Sequence, residues 1–336
     1  MPEPRSILYT RSLFLPGPIG PMSHLGITLY RHCVASGLRS TLYHLGFEVP
    51  EALPVRIFQL RLYLDTRALA ERIEGAPGAA ELHGALTDPG GVLELADQTG
   101  EVAAAAMFHN LRLAALRRRK TQALAEPADG ATAWKLFRAG VSRWLVRLND
   151  AFLADTLAAR SRRRRRAEGK PVAATLPREA WRFRSGRDCR LERLGPPDLR
   201  SPAWSEDRVA RDEARAMLAD EPLPPRDPRR GLFRETYRDM LSNLRPAYLA
   251  LAATASGRGV LADPEDAFFV PFDLAGDLTA HERPGWLDDA VASNRREYEA
   301  CAAAADPGDE LDAVPSVVLG DTADPERAWN CLLPIP

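Results

Sequence analysis

The apolar positions follow two different periods along the chain. After Ser23, a residue suited to capping a helix, Leu25, Leu29, His32, Cys33 and Ser36 recur at helical spacing, and Gly37 is expected to end that helix. Between Val55 and Asp65 the period shortens. Ile57, Leu60, Leu62 and Leu64 with Arg61, Tyr63 and Asp65 become period-two, which predicts a short strand at Arg61–Asp65 and then a helix from about Thr66 to Glu74. A loop centred on Asp88, Pro89, Gly90 and Gly91 and an Ala/Leu-rich helix over Val102–Arg119 follow.

Trp134, Phe137, Val141, Trp144, Leu145, Leu148 and Phe152 then recur at three- and four-residue steps and mark an amphipathic helix. This aromatic stripe reads as packed core ahead of a lining for an apolar pocket. It leads into an Arg-rich loop over 160–170 with five consecutive arginines, Arg162–Arg166. The stretch 220–231 holds four prolines and reads as a rigid linker or surface loop. The most regular helix comes next, on Phe233, Tyr237, Leu241, Leu244, Tyr248 and Leu251, with a kink expected at Pro246 and a stop at Gly257 and Gly259. Asp263–Asp266 reads as a turn, and Ala267–Val270 as a short buried strand. No internal repeat is present. The pattern predicts a mainly α fold, a single elongated multi-helix domain spanning 1–336 with a few short strands around Arg61–Asp65 and Ala267–Phe272.

Composition narrows the function classes. An apolar fraction of 45% and a charged fraction of 27% belong to an ordinary globular protein, and no apolar run approaches the roughly 20 residues that cross a bilayer. Pro16, Pro18 and Pro21 interrupt any N-terminal signal-like segment, so a cytoplasmic location is expected. Cys33, Cys189, Cys301 and Cys331 are scattered without metal-ligand spacing and are expected to be plain thiols, with no metal site and no cofactor. A net charge of −1 provides no global attraction for nucleic acid or anionic membrane. The run Arg162–Arg166 lacks interleaved aromatics, so a solvated charge block is favoured over nucleic-acid binding there.

Four passages, in order, resemble one known family. Leu15-Pro16-Gly17-Pro18-Ile19-Gly20-Pro21-Met22-Ser23 is similar to an "LPGxxTPLS" opening, and Arg61–Leu69 to an "RPYLNLxAL" strand and helix start. Arg184 to Asp207, with Trp204, Glu206 and Asp207 in place, resembles a "GHRGxxExDL…PRWxED" passage. Arg258-Gly259-Val260-Leu261 followed by Asp263–Asp273 resembles "G-x-L, PEDxFFL, acidic". Together they resemble the middle, substrate-binding domain of phosphoenolpyruvate-utilising phosphotransferases such as rifampin phosphotransferases. The resemblance covers about Leu13 to Asp273, and more loosely the tail Asn294–Gly320.

In that family an ATP-grasp domain phosphorylates a histidine on a swivelling domain, which carries the phosphoryl group to the acceptor. This sequence has no Gly-rich phosphate loop and no T-S-H-A phosphohistidine motif around any of its six histidines. It ends at Pro336, about where the swivelling domain would begin. The resemblance therefore implies a stand-alone acceptor-binding or scaffold subunit of a split phosphotransferase, inactive alone and with no catalytic residue of its own. Its partners would be a separate ATP-grasp/phosphohistidine protein and a hydroxyl-bearing small-molecule acceptor. The other reading is a non-catalytic interaction protein that retains the fold.

Six residues stand out as candidates for binding phosphate or substrate. Arg234 and Arg238 lie four apart on one helix face, in a segment similar to the family's G-L-R-E-x-x-basic run, where two guanidiniums suit a phosphoryl group in transit. A solvated face neutralised by Glu235 and Asp239 is the plain alternative. Ser23 and His24 match the stretch that lines the acceptor pocket in relatives, where a histidine can orient a hydroxyl, although the favoured reading is Ser23 as an N-cap and His24 as a first-turn surface residue. Arg184 and Asp188 match the family's Arg and Glu, or form a structural ion pair. Phe183 stands where the family has histidine, which removes one candidate base.

Overall fold

A computed structural model describes residues 9–10, 21–44, 55–73, 129–149, 198–200, 228–305, 307 and 310–311. The described residues are mainly helical. α1 spans His24–His44, α2 Thr66–Ile73, α3 Gly130–Gly140, α4 Pro228–Gly257 and α5 Leu287–Ala303. Four short strands, β1 (Tyr9–Thr10), β2 (Val55–Phe58), β3 (Arg61–Asp65) and β4 (Glu310–Leu311), form one antiparallel sheet in the order β2-β3-β1-β4. β1 bridges β3 and β4, so the two ends of the described chain meet in that sheet.

The strand expected at Arg61–Asp65 is present, and it is half of a hairpin. Gln59 and Leu60 turn the chain with φ of 47° and 54°. Left-handed backbone costs an L-residue about 1–2 kcal/mol. Here the turn is held from outside: the Met22 N–H donates to the Leu60 carbonyl at 3.1 Å, and an Arg61 Nη1 donates to the Gln59 carbonyl at 2.9 Å. With neither Gly nor Asn at the turn, the sequence carried no hairpin signal. Asp65 ends β3 and caps α2 by accepting the Ala68 N–H at 2.8 Å.

Two expected boundaries move. α1 runs through Gly37 to His44. An interior glycine costs about 1 kcal/mol relative to alanine, whereas burying a residue such as Val34, Leu38 or Leu42, all of them core positions here, contributes about 1.5–3 kcal/mol. Packing therefore overrides the stop signal. α4 begins at Pro228, so 228–231 of the stretch read as linker are helical, with proline at a helix start where its missing N–H has no cost.

The strand expected at Ala267–Phe272 is not one. Pro264–Phe269 is a 3₁₀ helix, begun by a capping box in which Asp263 accepts the Glu265 N–H at 2.8 Å and Asp266 accepts the Asp263 N–H at 3.3 Å. A short buried apolar run does not distinguish strand from helical turn by period. The stop of α4 is as expected: with Gly259 at φ 77°, its N–H reaches the Ser256 carbonyl at 2.9 Å and the Val260 N–H reaches Ala255 at 2.9 Å, a Schellman arrangement.

The aromatic stripe of α3 and of the helical turns that continue it, a π-helical turn at Val141–Leu145 and then 146–149, is packed. Phe137, Val141, Leu145 and Leu148 are buried, and the Phe137 ring stacks with Trp134, lies tilted against Tyr248 and meets Phe272 edge-on. α3 and α4 approach closely at Gly140, where a β-carbon would stand 2.3 Å from a Leu244 methyl. Phe152, the Arg-rich loop 160–170, 220–227 of the proline-rich stretch and the helix expected at Val102–Arg119 lie outside the described residues.

Candidate functional site

The head of α1 gathers parts of the chain that are far apart in sequence. Ser23 caps the helix, its hydroxyl accepting the Gly26 N–H at 3.1 Å. The same hydroxyl donates to Asp198 Oδ1 at 2.8 Å, and the Ser23 N–H donates to Asp198 Oδ2 at 2.5 Å. Asp198 also accepts the Arg200 N–H at 3.2 Å. Its carboxyl approaches α1 so closely that a β-carbon on Gly26 would lie 2.5 Å from Oδ1. Burial pushes the Asp198 pKa above the usual carboxylate value, and the hydrogen bonds from Ser23 and Arg200 offset this only in part.

His24 is buried and paired. Its Nε2 lies 2.9 Å from Glu297 Oε2 on α5. A carboxylate only accepts, so this nitrogen carries the proton, and the Glu297 contact fixes the ring. Nδ1 is covered from solvent and, among the described residues, has no hydrogen-bond partner. An unmatched buried acceptor costs about 1–3 kcal/mol, which makes it the unusual atom of the site. One turn along α5, the Cys301 thiol is pushed up to about 11, chiefly by burial and then by the Glu297 charge, with Arg61 opposing. It is therefore no thiolate nucleophile near neutral pH.

α5 is fastened to the 3₁₀ helix by three contacts and to the head of α1 by a fourth. Asn294 donates to the Phe269 carbonyl at 2.8 Å, Arg295 pairs with Asp266 at 2.6 Å, Glu297 holds His24 at 2.9 Å, and Tyr298 meets Phe269 edge-on with centroids 5.9 Å apart. The Arg200 guanidinium lies over both the Phe269 and the Tyr298 rings, at 5.3 and 4.8 Å, and Arg295 lies 4.6 Å from Phe269. These contacts carry Asp198, and with it the clamp on Ser23, into the same packing unit.

Of the candidate residues, Ser23 and His24 are brought together with partners that spacing alone did not reveal. Ser23 is a saturated N-cap, and His24 is an inward-facing member of a pair rather than a surface residue. Arg234 and Arg238 fall in the N-terminal part of α4, where Tyr237 packs edge-on against Tyr30 of α1 with centroids 5.9 Å apart. The side chains of Arg234 and Arg238, and all of Arg184 and Asp188, lie outside the described residues. Glu297 and Asp198 were missed. Asp198, with Leu199, stands at the D-L of the quoted Arg184–Asp207 passage, a signal present in the sequence though not singled out as a site residue, and Glu297 is one charge among several on an amphipathic helix.

Among the described residues no group of three or more His, Cys, Asp and Glu is placed to hold a metal ion, and no helix is long and apolar enough to cross a membrane. No protein-family model, curated protein or solved structure matches the chain.

Proposed function

We propose that this protein is the acceptor-binding subunit of a phosphohistidine-dependent phosphotransferase, with His24 as the group that orients and deprotonates the acceptor hydroxyl. The observation that carries the reading is the Glu297–His24 pair, which leaves one buried Nδ1 lone pair uncommitted. Supporting it, all four passages that resemble the phosphoenolpyruvate-utilising family touch this region. Met22 bonds the hairpin that leads into β3, Asp198 clamps Ser23, and Arg200 stacks on Phe269 of the 3₁₀ helix.

In the step proposed, the P–N bond of a phosphohistidine on the partner breaks and a P–O bond to the acceptor forms. The hydroxyl proton passes to His24 Nδ1, and Glu297 stabilises the resulting imidazolium. Because Nδ1 is covered, the acceptor enters only when the groups over it shift. The chain supplies binding and proton transfer, and a separate ATP-grasp/phosphohistidine protein supplies the phosphoryl group.

Transfer itself is the test. The chain is purified from its native cells with its bound proteins and supplied with γ-labelled ATP and a small-molecule extract. Label should appear in a small molecule only when both the chain and a phosphohistidine protein are present, and His24→Gln should slow its appearance by about 10²–10⁴. If no phosphohistidine protein accompanies the chain and no label is transferred, the proposal fails.

A second reading, a non-catalytic interaction protein that retained the fold, is favoured by one observation: both polar groups of Ser23 are consumed by Asp198 and Gly26. On that reading His24→Gln leaves every binding property of the chain unchanged.

A further inference from the structure

α5 adds little to the core it covers. Of its residues only Leu287, Val291 and Cys301 are buried, whereas α4 is enclosed from Tyr237 to Ala255, with Leu244, Tyr248 and Leu251 wholly out of solvent. Both buried aliphatic residues of α5 lie near its start. From Asn294 onward the helix is held by polar and ring contacts. Asn294 donates to the Phe269 carbonyl at 2.8 Å, Arg295 pairs with Asp266 at 2.6 Å, and Glu297 meets His24 Nε2 at 2.9 Å. Tyr298 meets Phe269 edge-on and lies beneath the Arg200 guanidinium. Asn294, Arg295, Glu297 and Tyr298 are all partly exposed, so water replaces these contacts as they break.

The helix is also loosely joined at both ends. Ahead of it, Arg258 of α4 donates to the Leu278 and Thr279 carbonyls at 2.7 and 3.1 Å and pins the 3₁₀ turn Ala275–Thr279. His281, Glu282, Arg283 and Gly285 then run exposed, and Trp286 begins α5 without a side-chain cap. Gly285 stands in open space, with no atom within 4 Å of an added β-carbon. Such a stretch absorbs the backbone rotations of a hinge. Beyond α5, β4 pairs with β1 through Glu310 and Leu311 alone.

Units with few buried apolar contacts and exposed hydrogen bonds open below the free energy of global unfolding. We infer that α5 is a strap that opens as a unit about 281–286 while α1, α3 and α4 stay packed, releasing His24 from Glu297 and bringing its imidazole to solvent. With the strap closed, His24 is buried, its Nε2 is bonded to Glu297 and its Nδ1 is covered. The opening is the shift that acceptor entry demands, and in that use it rests on the phosphotransfer reading. The motion itself depends only on the contacts of α5.

Native-state hydrogen exchange of the full chain reads the opening, and modification of His24 by diethyl pyrocarbonate reads access to the ring. Amides of 291–303 should exchange about tenfold or more faster than those of 240–252 on α4. Asn294→Ala removes one hydrogen bond and should speed α5 exchange about fivefold with α4 unchanged, and speed His24 modification by the same factor. Arg295→Gln should act in the same direction and serves if Asn294→Ala does not fold, while Arg296→Gln on the exposed face should change neither rate. Equal exchange of α5 and α4, or faster α5 exchange without faster His24 modification, overturns the inference. A chain whose α5 opens in this way but transfers no label keeps the strap and loses the phosphotransfer reading.

Discussion

Asp198 holds Ser23 by two hydrogen bonds, taking the main-chain N–H at 2.5 Å and the hydroxyl at 2.8 Å across 175 positions of sequence. One side chain thereby sets where α1 starts and orients His24, the next residue.

Replacement of that carboxylate gives the first prediction. Asp198→Asn sets an NH₂ group against donors and should cost about 1–3 kcal/mol, with a defined pH dependence. The folded-state pKa of Asp198 is raised, so the folded protein binds the proton more tightly than the unfolded chain. Wild type then loses stability as pH rises from about 4 through the raised value, and the Asn variant has no such loss. The cost of the substitution should accordingly be greatest at the acid end and shrink with rising pH. Urea unfolding of both proteins across a pH series measures this, and a cost that grows with pH contradicts it.

The His24–Glu297 pair makes a prediction about rate. In the reconstituted transfer reaction, His24→Gln should slow turnover by about 10²–10⁴, the usual contribution of a general base. Glu297→Gln keeps a neutral acceptor near Nε2 and should have a smaller effect in the same direction. Single-turnover transfer from the labelled partner reads the chemical step. Equal rates in wild type and His24→Gln remove the base assignment.

Helix packing supplies a third. Gly140→Ala places a methyl within 2.3 Å of the buried Leu244 side chain, and should destabilise the protein by about 1–3 kcal/mol despite alanine's better helix propensity. Leu244→Ala opens the space, so in that background the same substitution should be neutral or stabilising. A double-mutant cycle by chemical unfolding exposes the coupling. Additive effects would place the contact elsewhere.

His32 gives the fourth. Its pKa is lowered first by burial, with Asp273 opposing and Arg138 assisting. Arg138→Gln should therefore raise its midpoint, and Asp273→Asn should lower it further. A folded-state pKa below the unfolded value means the unfolded chain binds the proton more readily, so His32 contributes a loss of stability as pH falls below about 6.5. NMR titration of the single ring, with unfolding measured at pH 5 and 7, checks both signs.

Much of the architecture was legible because local and tertiary preferences agreed. The α3 stripe, the face of α4 and the glycine stop after it each rest on spacing of buried residues or on backbone chemistry carried by a few neighbours. Where the two preferences conflicted, tertiary packing prevailed. α1 passed through Gly37 on the strength of Val34, Leu38 and Leu42, and Gln59–Leu60 turned left-handed because Met22 holds the turn.

The candidate site divides along the same line. Ser23 announces a helix cap by its chemistry, and His24 stands out as an ionisable group beside it, so both could be named from the sequence. Their partners could not. Asp198 and Glu297 lie 175 and 273 positions away from Ser23 and His24, and no periodicity encodes which carboxylate among many will be buried against a given donor. The sequence by itself determined the helices, their apolar faces and the chemistry available at the head of α1. Only the tertiary structure decided which of those groups are satisfied and which remain uncommitted, because desolvation and charge pairing depend on what the fold brings within a few ångströms.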